Sequence, residues 1–276
     1  MKIVTYNIQW GKGRDGRIDL DRIATSVRGA DVICLQEVER NWREQNHEDQ
    51  ASYLASLFSG FDWVHGPAVD LAGSPGRRRQ IGNMTLSRWP IMSSRNVPLP
   101  SWPVQGHMND HQALLETVID AEKPFRLYNT HLNYISAEQR LEQVSRVLKV
   151  IDEAPRHGAP VSAPGLSAPG PDDEWIVLPG FRLPVMPEPA LLLGDFNMEP
   201  GSQEFGNICA AGFADALGQD GARPNADITF PANGREKNQR LDHIFITQHF
   251  EPEMKSCWVD HMADGSDHQP VWIELT

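Results

Sequence analysis

Three things are scarce in this sequence. Cysteine occurs only at Cys34, Cys209 and Cys257, an odd number without a CxxC pair, so neither a disulfide framework nor a thiolate zinc site is written in it. Positive charge is the second shortage: 25 Lys and Arg stand against 37 Asp and Glu, a net charge of −12 over 276 residues. Strong nonspecific adhesion to nucleic acid or to an anionic membrane needs a positive field, and this composition argues against it. The third is a long apolar run, since nothing approaches the roughly 18 residues of a membrane span. The opening Met1–Ile8 reads as a strand, not as a charged and then apolar leader. The expectation is a cytoplasmic protein without a stable membrane anchor, and no obligate protein partner is inferred.

What is present suits an ordinary folded domain. Hydrophobic residues make up 40% and charged residues 22%, enough for a sizeable core in a chain of this length, and residues 1–276 read as one domain. Amphipathic spacing predicts helices over 18–27, 50–58 and 137–151. Short apolar runs bounded by turn residues predict strands at 1–8, 31–37, 61–65, 81–87, 90–97, 112–119, 124–132, 190–193, 240–247, 254–259 and 269–275. From about 155 to 189 the composition shifts to Pro, Gly, Ser and Ala. Helix and regular strand are disfavoured through most of it, and it reads as an insertion within the domain.

Carboxylates, amides and imidazoles recur where apolar strands stop. Asn7 follows Ile3–Tyr6, Glu37 follows Val32–Gln36, His131 follows Leu127–Thr130, and Asp195 and Asn197 follow Leu191–Gly194. Asp242 stands just before Ile244–Ile246, and Asp267 and His268 just before Pro270–Ile273. Strand ends gather on one rim of a sheet. An oxygen-rich rim without cysteine suits a hard divalent cation, Mg²⁺ or alternatively Mn²⁺, better than zinc, for which no HExxH or HxH pairing is present. Asp31, Asp70, Asp215 and Asp227 read instead as turn or capping residues, and His107, His111 and His261 as surface residues.

These residues resemble the endonuclease/exonuclease/phosphatase superfamily of deoxyribonuclease I-like metal-dependent phosphohydrolases. The resemblance is carried, in chain order, by Thr5-Tyr6-Asn7-Ile8, Leu35-Gln36-Glu37-Val38, the run from Gly82 to Ile91, Asn129-Thr130-His131-Leu132, Gly194-Asp195-Phe196-Asn197, Arg240 to Ile244 and Ser266 to Val271. It implies an α/β (α+β) fold, a two-sheet β-sandwich with helices on both outer faces. It implies that Glu37 binds Mg²⁺ with support from Asn7 and Asp267, and that Asp195, fixed by Asn197, activates a water. His268, oriented by Asp242, and His131 would hold phosphoryl oxygens. Two positions depart from the pattern: Gln9 stands where some nucleases have a further acidic ligand, and His111-Gln112-Ala113-Leu114 where many bacterial relatives have arginine.

The implied activity is hydrolysis of a phosphodiester by in-line attack of water. The alternatives are a phosphomonoesterase of inositol phosphates or another small phosphorylated metabolite, and, against the retained site residues, a non-catalytic binding protein. The substrate is a phosphate ester, whether nucleotide, nucleic acid or phospholipid headgroup. Arg77, Arg78 and Arg79, together with Asn83 and Trp175, are the candidate substrate contacts, with the bland alternative that the arginines form a solvated surface. Tyr6, Phe196 and Trp272 alternate with site residues and should face the core.

Overall fold

Period-two alternation builds the strands and sorts their side chains. In β1 (Lys2–Asn7), Ile3 packs with one buried cluster while Val4 and Tyr6 pack with another. The computed structural model describes residues 1–42, 49–161, 185–218, 227–231 and 237–276. β1 is followed by α1 (Leu20–Ser26), whose first turn is capped by Asp19 Oδ1 accepting from Arg22 N at 3.1 Å, and by β2 (Val32–Arg40), parallel to β1. The arrangement recurs later in the chain, where β7 (Phe125–His131) and β8 (Ala190–Asp195) are parallel and separated by α3 (Ala137–His157).

Each parallel pair is the middle of a sheet. β3 (Asp62–Ala72), β4 (Arg78–Ser87), β11 (Met254–Val259) and β12 (Val271–Leu275) extend the first, in the order β11-β12-β1-β2-β4-β3. The second takes in β5 (Ile91–Pro98), β6 (Ala113–Ile119), β9 (Phe213–Asp215) and β10 (Asp242–Thr247), in the order β5-β6-β7-β8-β10-β9. Ile3, Val32, Leu127, Leu191, Leu193, Ile244 and Ile273 form the core between the sheets. The outer face of the first sheet is covered by α1 and α2 (Gln50–Leu57) through Leu20, Ile23, Ala51 and Leu54. That of the second is covered by α3 and α4 (Gln203–Ala210) through Val144, Val147, Ile151 and Ile208. This is the expected α/β sandwich with helices outside, and Tyr6, Phe196 and Trp272 are buried in it.

Every element expected among the described residues is present, with altered lengths. α3 runs past Ile151 to His157 and carries Pro155 inside it. Proline cannot donate to the carbonyl four residues back, and that carbonyl, on Ile151, instead accepts from Arg126 Nη1 at 2.8 Å. The strands at 61–65 and 81–87 lengthen into a β3–β4 hairpin, where Arg78 pairs with Asp70 at 2.7 Å. α4 and β9 lie where the sequence predicts no element; Ser202 caps α4 by accepting from Phe205 N at 3.2 Å. Trp175 and most of the proline-rich stretch lie outside the described residues. Among those described, no helix is long and apolar enough to cross a membrane.

One glycine sets the distance between two strands that matter later. Gly194 has φ +140°, and a Cβ there would stand 1.9 Å from the Thr130 carbonyl oxygen of neighbouring β7. Gly194→Ala should cost on the order of 3–5 kcal/mol in urea unfolding, whereas Gly201→Ala, at φ +89° with open space around it, should cost only about 1 kcal/mol.

Candidate active site

The two parallel pairs end at the same edge of the sandwich. Asn7 closes β1 and Glu37 lies toward the end of β2, while in the facing sheet His131 and Asp195 are register partners at the ends of β7 and β8. β10 runs antiparallel and starts at this edge, so Asp242 pairs with Asp195. β12 also starts here, which delivers Asp267 and His268 from the segment just before it. All of them except Asn7 and Asp242 line a cleft of about 760 Å³, and those two reach the same cluster through their hydrogen bonds.

Asn7 ties the sheets together at its floor. Its Nδ2 donates to Glu37 Oε1 at 3.0 Å and to Asp195 Oδ2 at 2.8 Å. Glu37 sits on a bulge of β2 with φ +59°, an arrangement that re-aims a side chain out of the pleat at a local cost of about 1–2 kcal/mol. Asp195 Oδ1 accepts from Asn197 N at 2.9 Å, and Asn197 Nδ2 donates to the Leu132 carbonyl at 3.0 Å. Gln9 Nε2 donates to Asp267 Oδ2 at 2.6 Å, and Ser266 Oγ donates to the Asn7 carbonyl at 2.7 Å. Gln9, one of the departures from the family pattern, thus holds a site carboxylate by an amide N–H.

The imidazoles flank Asp195. His131 Nε2 and His268 Nε2 each lie 3.6 Å from its Oδ2, and His268 Nδ1 lies 2.8 Å from Asp242 Oδ2. Burial opposes a charge on His268, yet the Asp242 carboxylate and then Asp195 outweigh it, and the imidazole is pushed up to about 10. The two carboxylates thus favour the protonated imidazole. Asp195, Asp242 and His268 also bring one ligand atom each within 4.8 Å of one another, so a proton and a metal would compete for the His268 ring nitrogens.

Glu37 and Asp267 have the donor chemistry that would hold a hard divalent cation: Glu37 accepts from the Asn7 amide and Asp267 from the Gln9 amide, and among the described residues no cysteine lines the cleft. Burial pushes both carboxyls up against the pull of neighbouring imidazoles, a penalty that a bound cation would relieve.

Of the candidate substrate contacts, Asn83 lines the cleft and its Nδ2 donates to the Ala113 and Asn129 carbonyls at 2.9 and 3.2 Å. Arg77, Arg78 and Arg79 are exposed on the β3–β4 hairpin and are not part of the cleft wall. His111, exposed as expected, does line it. Sequence reasoning overlooked Trp10, Tyr134, Arg140 and Phe230, which also line the cleft. Arg140 is held by Glu204 and by the Asn133 carbonyl, both at 3.1 Å. These residues sit in loops or on a helix face, where no strand periodicity flags them.

The chain matches the Endonuclease/Exonuclease/phosphatase family over residues 4–268 and belongs to that family, whose members are hydrolases acting on phosphate esters. It is similar to the endonuclease/exonuclease/phosphatase from Beutenbergia cavernae DSM 12333, at 24% identity and TM-score 0.71 over 99% of this chain and 70% of that one. It is also similar to a mannosyl-6-phosphatase from Bacteroides thetaiotaomicron VPI-5482, at 18% identity and TM-score 0.65 over 100% and 99% of the two chains. A 3′ phosphatase from Neisseria, bound to product DNA hairpin, gives 20% identity and TM-score 0.62 over 100% and 99%. At such identities the shared property is the fold. No curated protein sequence matches the chain.

A titration tests the electrostatics beside the site. His243 follows Asp242 on β10 and points the other way, fully buried against Phe196, Phe205 and Phe245, with Nε2–H donating to the Met198 carbonyl at 2.9 Å. Burial, then the charge of Arg240, pushes its pKa down to about 4, against about 6.5 unfolded. Between those values the unfolded chain binds a proton that the native state refuses. Stability should therefore fall as pH drops from about 6.5 to about 4, by up to roughly 3 kcal/mol from this group. Urea unfolding of wild type and His243→Gln across that window should give a difference that shrinks toward low pH.

Proposed function

We propose that this protein is a divalent-metal-dependent phosphoesterase that hydrolyses a phosphodiester by in-line attack of water. The observation that carries the reading is the setting of Asp195: fixed through Oδ1 by Asn197, bonded through Oδ2 to Asn7, and flanked at 3.6 Å by two imidazoles. A carboxylate held in this way is positioned to take a proton from a water that attacks phosphorus.

Glu37, with Asn7 and Asp267, would hold Mg²⁺ or Mn²⁺, whose chemistry when bound is to neutralise a phosphoryl oxygen and favour departure of the leaving oxygen. The remaining work falls to the chain. Asp195 orients the water and accepts its proton, and Asn197 keeps Asp195 in one orientation. His268, kept cationic by Asp242, and His131 hold equatorial phosphoryl oxygens and oppose the charge that accumulates there. As the water oxygen bonds to phosphorus the ester oxygen leaves as an alkoxide that takes a proton from solvent to become the alcohol, and Asp195 returns its proton to solvent. Asn83 braces the cleft wall by donating to the Ala113 and Asn129 carbonyls. The overall negative charge favours a nucleotide, a short oligonucleotide or a headgroup over long duplex DNA.

Release of p-nitrophenol from bis(p-nitrophenyl) phosphate tests the reading. Activity should require Mg²⁺ or Mn²⁺ and disappear with chelator. Asp195→Asn should lower kcat on the order of 10³-fold, and Asp242→Asn on the order of 10²-fold, each variant retaining a cooperative urea transition. A preference for p-nitrophenyl phosphate would replace the diester by a monoester as substrate. Chelator-resistant hydrolysis would remove the metal from the reading.

A further inference from the structure

The cleft wall carries apolar surface that phosphoryl transfer does not use. Met108 is 90% exposed and Tyr134 is 56% exposed, and both line the cleft. Single exposed apolar residues are commonplace, but these two form one built surface. Tyr134 Oη donates to the Met108 carbonyl at 3.1 Å, and the adjacent Asn133 Nδ2 donates to Asn109 Oδ1 at 2.6 Å. Two bonds thereby pin the loop before β6 to the loop before α3.

The second loop is itself rigid. Asn133 is fully buried, its Oδ1 accepts from Ile135 N and Ser136 N at 2.9 and 2.8 Å, and its own N–H donates to Gln143 Oε1 at 2.9 Å. The Tyr134 ring therefore stands in the cleft on a backbone that is already ordered. A planar ring held like this stacks on another ring with little entropy left to lose. The wall continues in apolar character through Ile135 on the same loop, and Phe230, also lining the cleft, packs against His268 at 4.9 Å.

Resting on the phosphoesterase reading above, we infer that Tyr134, backed by Met108, is the specificity-determining surface of the site and takes an aromatic ring carried by the esterified alcohol. The ring comes from an aryl group or a nucleobase. Phosphoryl contacts remain with the residues at the strand ends, and the ring preference comes from this shelf.

Calorimetry with non-hydrolysable phosphonates in the presence of Mg²⁺ tests the inference without relying on turnover. Phenylphosphonate is compared with methylphosphonate, and the phosphonate analogue of adenosine 5′-monophosphate with that of ribose 5-phosphate; the members of each pair differ by a ring. At least one pair should show a preference of about tenfold for the ring-bearing member. A preference in the first pair assigns an aryl group, and in the second a nucleobase. Tyr134→Ala, at a largely exposed position, should bring the ratio toward one, while Tyr134→Phe should keep it. Ratios within twofold in the wild type, or a ratio that survives Tyr134→Ala, overturn the inference while leaving hydrolysis of bis(p-nitrophenyl) phosphate as separate support for the activity. Failure of all four to bind overturns the inference, and hydrolysis of bis(p-nitrophenyl) phosphate then decides the activity by itself.

Discussion

The site depends on a layer of buried amides that locks the two sheets together just beneath it. Gln36 Nε2 donates to Thr5 Oγ1 at 3.0 Å and, across the sandwich, to Asn129 Oδ1 at 2.7 Å. Asn129 Nδ2 returns to the Leu35 and Met84 carbonyls at 3.2 and 3.0 Å. Apolar packing between sheets is non-directional and tolerates sliding, whereas these bonds fix one relative position, because a slip would leave buried donors unpaired. Glu37 belongs to one sheet and Asp195 to the other, so the span bridged by Asn7 is only as well defined as this layer.

A second constraint is conformational. Gln9, Trp10, Glu37, Asn41 and Asn197 are the non-glycine residues with positive φ among those described, and all but Asn41 line the cleft. Each costs on the order of 1–2 kcal/mol locally, so the surrounding hydrogen bonds must hold them there. Glu37 takes this conformation on a bulge inside β2 and the others just beyond strand ends, where the chain leaves the pleat.

Electrostatically the site sets a cation against carboxylates. Glu37, Asp195, Asp242 and Asp267 gather at one edge of a protein that is already acidic. His268, between Asp242 and Asp195, offsets part of that charge. The acids differ in setting: Asp242 is fully buried beside an imidazole, whereas Glu37 and Asp267 line the cleft.

The sequence by itself determined the strands, the principal helices and the identity of the strand-end residues, because alternation and turn chemistry are local. Polar residues after apolar rows marked Asn7, Glu37, His131 and Asp195, and one just before an apolar row marked Asp242. The supporting layer was less legible: Thr5 and Asn129 lie two residues before Asn7 and His131 on the same faces, yet nothing local says that Gln36 will meet Asn129 from another sheet. α4, the extension of α3 through Pro155 and the placement of Arg77–Arg79 away from the cleft depended on tertiary partners, such as the Arg126 side chain that satisfies the Ile151 carbonyl. Tyr134 and Met108 carry no periodic signal at all. Which residues meet across the cleft was decided by parallel pairing and inter-sheet register, since those bring together positions as far apart as Asn7 and Asp195, and local propensity contains no information about such distances.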